Sequence, residues 1–107
     1  MKFVVQETIA AARPVAFAAA SDVRGWPAMM SAIERTEILT REPVGAGTRF
    51  RETRRLHGKL ASEVMRLAEF EPPERFVITA FNHGARYRIE HVFEDMKTLT
   101  DRQEFLR

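Results

Sequence analysis

The chain has 107 residues, 45% hydrophobic and 30% charged, with 17 basic and 15 acidic side chains giving a formal net charge of +2; that is one domain with a single core, and too even a balance to argue for nucleic acid. It contains no cysteine, which excludes disulfides and thiolate metal sites and fits a reducing compartment. No apolar run nears the ~20 residues of a membrane span and the start MKFVVQETIA lacks a signal-peptide pattern, so a cytoplasmic protein is expected.

Residues 2–9 are rich in β-formers and predict a first strand. Pro14, with its fixed φ and no N–H to satisfy, suits the first turn of a helix over 14–21 that carries Val15 and Phe17. Ser21, Asp22 and Gly25 interrupt it. Pro27 then starts a second short helix over 26–33, with Met29, Met30 and Ile33 as its apolar positions. A strand over 37–41 follows. Pro43 and Gly45-Ala46-Gly47 then lead into a long hairpin with arms at 48–57 and 60–71.

In the first arm, Arg49, Arg51, Thr53, Arg55 and His57 alternate with Phe50, Glu52, Arg54 and Leu56. The former set is cationic and reads as a solvated face. Gly58-Lys59 suits a two-residue type II′ turn, because glycine accepts positive φ at the first central position. That register sets Phe50 opposite Leu67, Glu52 opposite Met65, Arg54 opposite Glu63 and Leu56 opposite Ala61. A one-residue slip would set the same face against Val64 and Arg66.

After Pro72-Pro73 come a strand over 75–81, turn material at Asn82-His83-Gly84-Ala85, and an alternating strand over 86–94. A two-residue loop at His83-Gly84 pairs Ala80 with Tyr87, Ile78 with Ile89 and Phe76 with His91, on one mostly apolar face. A three-residue loop of Asp95, Met96 and Lys97 then enters a last strand over 98–105. It pairs Phe93 with Leu99, His91 with Asp101 and Tyr87 with Phe105, whereas a two-residue loop would oppose Glu90 and Asp101, two like charges. The three hairpins agree on one inner face holding Phe50, Leu67, Ile78, Tyr87, Ile89, His91 and Phe93. Arg49, Arg51, Arg55 and Arg88 lie on the other.

The order is thus one strand, two helices and about six antiparallel strands, an α+β arrangement of about seven strands with the helices between strands one and two. With the Trp26-Pro27 dipeptide between the helices, Val44-Gly45-Ala46-Gly47-Thr48 entering a strand, and Glu71-Pro72-Pro73-Glu74-Arg75-Phe76 between strands, the chain resembles the polyketide cyclase/dehydrase and lipid-transport group. That group belongs to the START-like (Bet v 1-like, SRPBCC, helix-grip) superfamily, and the resemblance covers nearly all of 1–107 as a single domain. It implies a curved antiparallel sheet gripping a long C-terminal helix, with a cavity between them for a small apolar or aromatic molecule. It implies no shared catalytic signature. The sequence departs from the pattern in stopping at Arg107, where that helix would begin, so the expected domain is shortened at its C-terminus.

Each candidate site has two readings. Glu52, Arg54 and Glu63 either line the cavity and orient a polar ligand group, since a buried charge cluster needs mutual pairing, or form a cross-strand ion pair at a solvated edge. His91 beside Asp101 and near Tyr87 is either an acid/base dyad, with the carboxylate fixing the imidazole tautomer, or a satisfied core histidine. Trp26, Met29, Met30 and Ile33 form either the cavity mouth, where adaptable methionines suit varied ligands, or ordinary core. The candidate ligand-binding set is Trp26, Met30, Phe50, Glu52, Arg54, Met65, Ile78, Tyr87, Ile89 and His91; the candidate catalytic set is His91, Asp101 and Tyr87. His57 and His83 sit at hairpin tips, and three histidines so dispersed have no metal-ligand spacing. Gly45 and Gly47 lack the helix and Lys-Ser/Thr of a phosphate loop. The stripe Arg49, Arg51, Arg55 has no interleaved aromatics, which favours a solvated face over an RNA platform.

The favoured function is binding or transport of a small hydrophobic or aromatic ligand, with no cofactor, no metal and no nucleic acid. The alternatives are a cofactor-independent cyclase, aromatase or dehydratase, and a protein-interaction module. Two short helices have too few large apolar residues to cover seven strands, and monomers rarely leave such a face open. A homodimer burying the open faces or edge strands is expected, against a shortened chain whose sheet collapses onto its two helices.

Overall fold

The computed structural model of the chain describes residues 4–82 and 84–95. Pro14 does start a helix: α1 runs Arg13–Ser21, and a 3₁₀ turn (Val23–Gly25) connects it to a single-turn helix, α2 (Trp26–Met29). Five strands follow, β1 (Ile33–Ile38), β2 (Arg49–Leu56), β3 (Lys59–Glu71), β4 (Arg75–Asn82) and β5 (Ala85–Val92). They form one open antiparallel sheet in chain order. The class is α+β, with five strands among the described residues against the seven expected over the whole chain. No helix among the described residues is long and apolar enough to cross a membrane.

Three boundaries differ from the sequence pattern. The strand expected over 2–9 does not form in the described part, residues 4–9, where Val4, Val5 and Ile9 are exposed. β-formers make a strand only where a partner edge offers its ladder, and none pairs here. The helix expected over 26–33 ends after one turn, because Met30 is already extended at φ −123°, ψ 109°. Ile33 thereby leaves the helix and becomes the buried first residue of β1, and the strand expected at 37–41 shifts to Ile33–Ile38. The strand expected over 98–105, with Leu99, Asp101 and Phe105, lies outside the described residues.

The registers separate a correct hairpin from a corrected one. Between β4 and β5, Ala80 pairs with Tyr87, Ile78 with Ile89 and Phe76 with His91, as the alternation predicts. Between β2 and β3 the turn uses His57-Gly58 instead of Gly58-Lys59. Both residues have positive φ, 51° and 77°, which makes a type I′ turn whose twist matches the strands. Phe50 therefore pairs with Met65, Glu52 with Glu63, Arg54 with Ala61 and Leu56 with Lys59. The shift is two residues, so every side chain keeps its face although its neighbour changes.

The core lies between the helices and one face of the sheet. Phe17 from α1 meets Phe70, Phe76 and Phe93 with ring centroids 5.5, 5.6 and 5.4 Å away, and Trp26 stands edge-on to Phe50 at 5.4 Å. Val23, Ile33, Leu67 and Ile78 complete it. Two polar bonds seat the helices: the Trp26 indole N–H donates to the Ala20 carbonyl (3.0 Å), and the Thr36 hydroxyl donates to the Val23 carbonyl (2.7 Å).

Among the described residues, the opposite face has one buried apolar residue of its own, Val77 at 0% exposure. Its register neighbours are Glu69 and Glu90. Arg75 donates to both, at 2.8 and 2.9 Å, and to Glu71 at 2.5 Å. The hydrogen bond from Arg75 holds the Glu69 carboxyl below the usual carboxylate range, with help from Arg88. A charged lattice thus roofs Val77 with the stems and heads of long side chains.

Candidate functional site: an apolar cleft beside the first helix

Where α1 crosses the far end of β3, it does not close onto the sheet. Pro14, Phe17 and Ala18 of α1 face Phe70 at the end of β3, with Val44 from the loop before β2 and Pro72-Pro73 from the β3–β4 turn. They enclose a cleft of about 530 Å³, within the size range of small-molecule sites. Its geometry follows from local chemistry. Pro14 starts α1 and removes an N–H donor from the wall, and Pro72-Pro73 turn β3 away without presenting donors. A bulge between Leu67 and Glu69 rotates the end of β3 so that Phe70, paired with Phe76, joins the inner face.

The polar groups are few and sit at one end: Ser21, Asp22 and Arg24. The Ser21 hydroxyl is already committed, donating to the Phe17 carbonyl at 2.8 Å. Arg24 pairs with Glu42. An apolar pocket with charge only at its rim can hold a hydrophobic molecule and orient one polar end.

The sequence-derived candidates fall elsewhere. Trp26, Phe50 and Ile78 are buried in the core, and Met29 and Met30 are exposed. Tyr87 and Ile89 share the inner face with Ile78 and Phe76 but are about half exposed, at 52% and 53%, on β5 at the end of the strand order. Met65 is half-buried between Phe50 and Ala80. The cleft residues Phe17, Val44, Phe70, Pro72 and Pro73 were not among the candidates. A signal for them existed: the motifs Val44–Thr48 and Glu71–Phe76 both reach this cleft, one giving Val44 and the other the proline pair.

The charged trio does not form the expected cross-strand ion pair. Glu52 is buried at 3% exposure and lies opposite Glu63, not Met65. Its ion-pair partner is Arg54, two residues along the same strand, whose Nε donates to Glu52 Oε1. The pair is intrastrand, with one buried member and one wet one.

Asp101 lies outside the described residues, and no described carboxylate pairs with His91. His91 instead stacks on Phe76 at 4.5 Å, nearly parallel at 17°. Burial against this ring disfavours the imidazolium and lowers its pKa below the ordinary value of about 6.5. A histidine with a lowered folded pKa adds stability that is present above pH ~6.5 and is lost as pH falls through the folded value. Unfolding between these limits therefore takes up as much as one proton at His91. His91→Gln should flatten the pH dependence of the urea midpoint in that window; an unchanged slope would show that the stacked imidazole is not titrating there.

Comparison with known protein families, with curated proteins and with solved structures finds no match to this chain.

Proposed function

We propose that this chain binds a small hydrophobic or aromatic molecule, as a carrier or sensor of the helix-grip kind. The observation that carries the reading is the cleft of about 530 Å³ between α1 and the end of β3, walled by Phe17, Val44, Phe70 and the proline pair. Burial of apolar area supplies the affinity at about 25 cal/mol per Å², and the Asp22–Arg24 end supplies orientation. The START-like resemblance supports the same reading, since two of its three motifs contribute walls to this one cleft.

Filling the cleft tests the proposal. Ala18 is exposed on α1 and lines the cleft, so Ala18→Trp places an indole in the cleft without disturbing the core. A neutral fluorescent probe, N-phenyl-1-naphthylamine, should bind the native chain with a blue-shifted emission. Ala18→Trp should weaken that binding by at least about ten-fold. Binding that Ala18→Trp leaves unchanged, or no binding by a folded native chain, would sink the reading.

The same reading includes a homodimer. Tyr87 and Ile89 on β5 are more than half exposed on the inner face, and a second copy is the simplest cover for them. Light scattering during size exclusion should give about twice the 12.3 kDa chain mass, and Ile89→Lys should halve it. A 12.3 kDa species for the native chain removes the dimer and leaves the cleft untouched.

A further inference from the structure

The outer face of the sheet, opposite the helices, carries a second concavity of about 580 Å³ that crosses four strands. Arg49 of β2, Arg66 of β3, and Arg86 and Arg88 of β5 line it, together with Thr79 and Phe81 of β4. Register makes this one row: Arg49 pairs with Arg66, Arg66 with Thr79, and Thr79 with Arg88, while Phe81 pairs with Arg86.

Two features set this cluster apart from a solvated charged face. The first is segregation of charge. Outer-face carboxylates are already engaged at the two sides of the sheet, Glu34 with Arg55, Glu37 with Arg35 and Arg51, and Glu69, Glu71 and Glu90 with Arg75. Among the described residues, no carboxylate pairs with Arg49, Arg66 or Arg86, and Arg88 reaches Glu69 at 3.3 Å. Arg49 even stands directly opposite Arg66, an arrangement of like charges that destabilises a sheet. An anion between the two guanidinium groups reverses that penalty.

The second feature is Phe81. It is 64% exposed beside the arginine row, with the Arg86 guanidinium 5.9 Å from its ring centroid and Val64 of β3 lining the same concavity. An exposed ring gains nothing from phosphate alone. It offers a stacking surface, and guanidinium planes offer others.

We infer that this outer face binds a short run of single-stranded nucleic acid, with Arg49, Arg66 and Arg88 on consecutive phosphates and Phe81 stacking on a base. The row from β2 to β5 spans three inter-strand spacings, about 14 Å, long enough for a few successive nucleotides. A duplex does not fit the same chemistry, because its bases are not free to stack on Phe81. The sequence pattern argued against such a platform because the stripe on β2 has no aromatic residue. The missing ring comes from β4. This site is on the face opposite the apolar cleft, so it stands whether or not the cleft binds a hydrophobic ligand.

The test is fluorescence anisotropy of a labelled twelve-nucleotide oligo(U) with the full chain. Binding should appear at 50 mM salt and weaken roughly 20-fold by 200 mM, the consequence of a slope near −2 for about three neutralised phosphates. Arg66→Gln should lower the magnitude of that slope by about 0.7. Arg41→Gln, which removes the same charge from an exposed loop, should leave both affinity and slope as they are. Phe81→Ala should weaken binding about ten-fold with the slope unchanged. All three positions are exposed, and matching thermal melts will show that the variants fold. Absence of binding at 50 mM salt overturns the inference. So does equal binding by Arg66→Gln and Arg41→Gln. Binding indifferent to Phe81→Ala is polyanion adsorption and overturns it as well. Saturable binding to phosphatidylserine vesicles without binding to oligo(U) would replace the nucleic acid with a lipid surface.

Discussion

Replacing Phe76 by alanine will lower the unfolding free energy by about 3–5 kcal/mol, the range for removing a fully buried phenylalanine and leaving a cavity. Phe76 is 1% exposed. Its ring is shared by the helix and the strands, meeting Phe17 edge-on at 5.6 Å, Phe93 at 5.9 Å and His91 at 4.5 Å. Neighbours drawn from α1 and β5 cannot both collapse into the space, so little of the loss is recovered. Against a total stability of ~5–15 kcal/mol for a domain, this one change removes a large fraction. Phe81→Ala is the internal control. It removes the same ring from the same strand but from the solvated face, and should cost no more than ~0.5 kcal/mol. Urea unfolding of the two variants decides the matter: similar midpoints would mean that the helices do not cover the face on which Phe76 lies.

The second large effect is at Glu52. Its carboxylate is 3% exposed, is paired with Arg54 and faces Glu63 across the ladder. Arg54→Met leaves that buried charge without its cation and beside a second carboxylate. Breaking a fully buried pair costs ~3–5 kcal/mol. The Arg54 side chain is 44% exposed, so water reaches the site and the expected loss is smaller, ~1–3 kcal/mol. Glu52→Gln with Arg54→Met should recover much of it, because the lone charge is then gone. A double variant no more stable than Arg54→Met alone would show that Arg54 acts through packing of its stem and not through its charge.

The unequal legibility of the two hairpins has a local cause. The β4–β5 register could be read in advance because a short turn around Gly84 aligns Ile78 with Ile89 and Phe76 with His91 on one mostly apolar face. In the β2–β3 hairpin, two turns were available, and both keep Phe50 on the inner face. Periodicity cannot tell them apart, since they differ by two residues, one full period. The choice was made by backbone twist, which favours the two positive φ values at His57 and Gly58. The price of the wrong choice fell on the site: it set Arg54 opposite Glu63, whereas the folded chain sets Glu52 there.

What the sequence by itself determined is the side of the sheet on which the residues of β2, β4 and β5 lie, whereas in β3 the bulge after Leu67 carried Phe70 to the inner face. Alternation of period two is a property of the extended backbone, and proline placement at Pro14 and Pro27 marked the two helix starts for an equally local reason. Tertiary structure alone decided which residues from different strands meet. Phe17 reaches Phe70 only because α1 crosses the sheet, and Phe81 stands among Arg49, Arg66, Arg86 and Arg88 only because four strands align their rows. Ile33 followed the same rule: a single apolar residue fits a helix or a strand, and the partner edge of β2 settled it for the strand. Such contacts join positions far apart in the chain, and no periodicity within one segment records them.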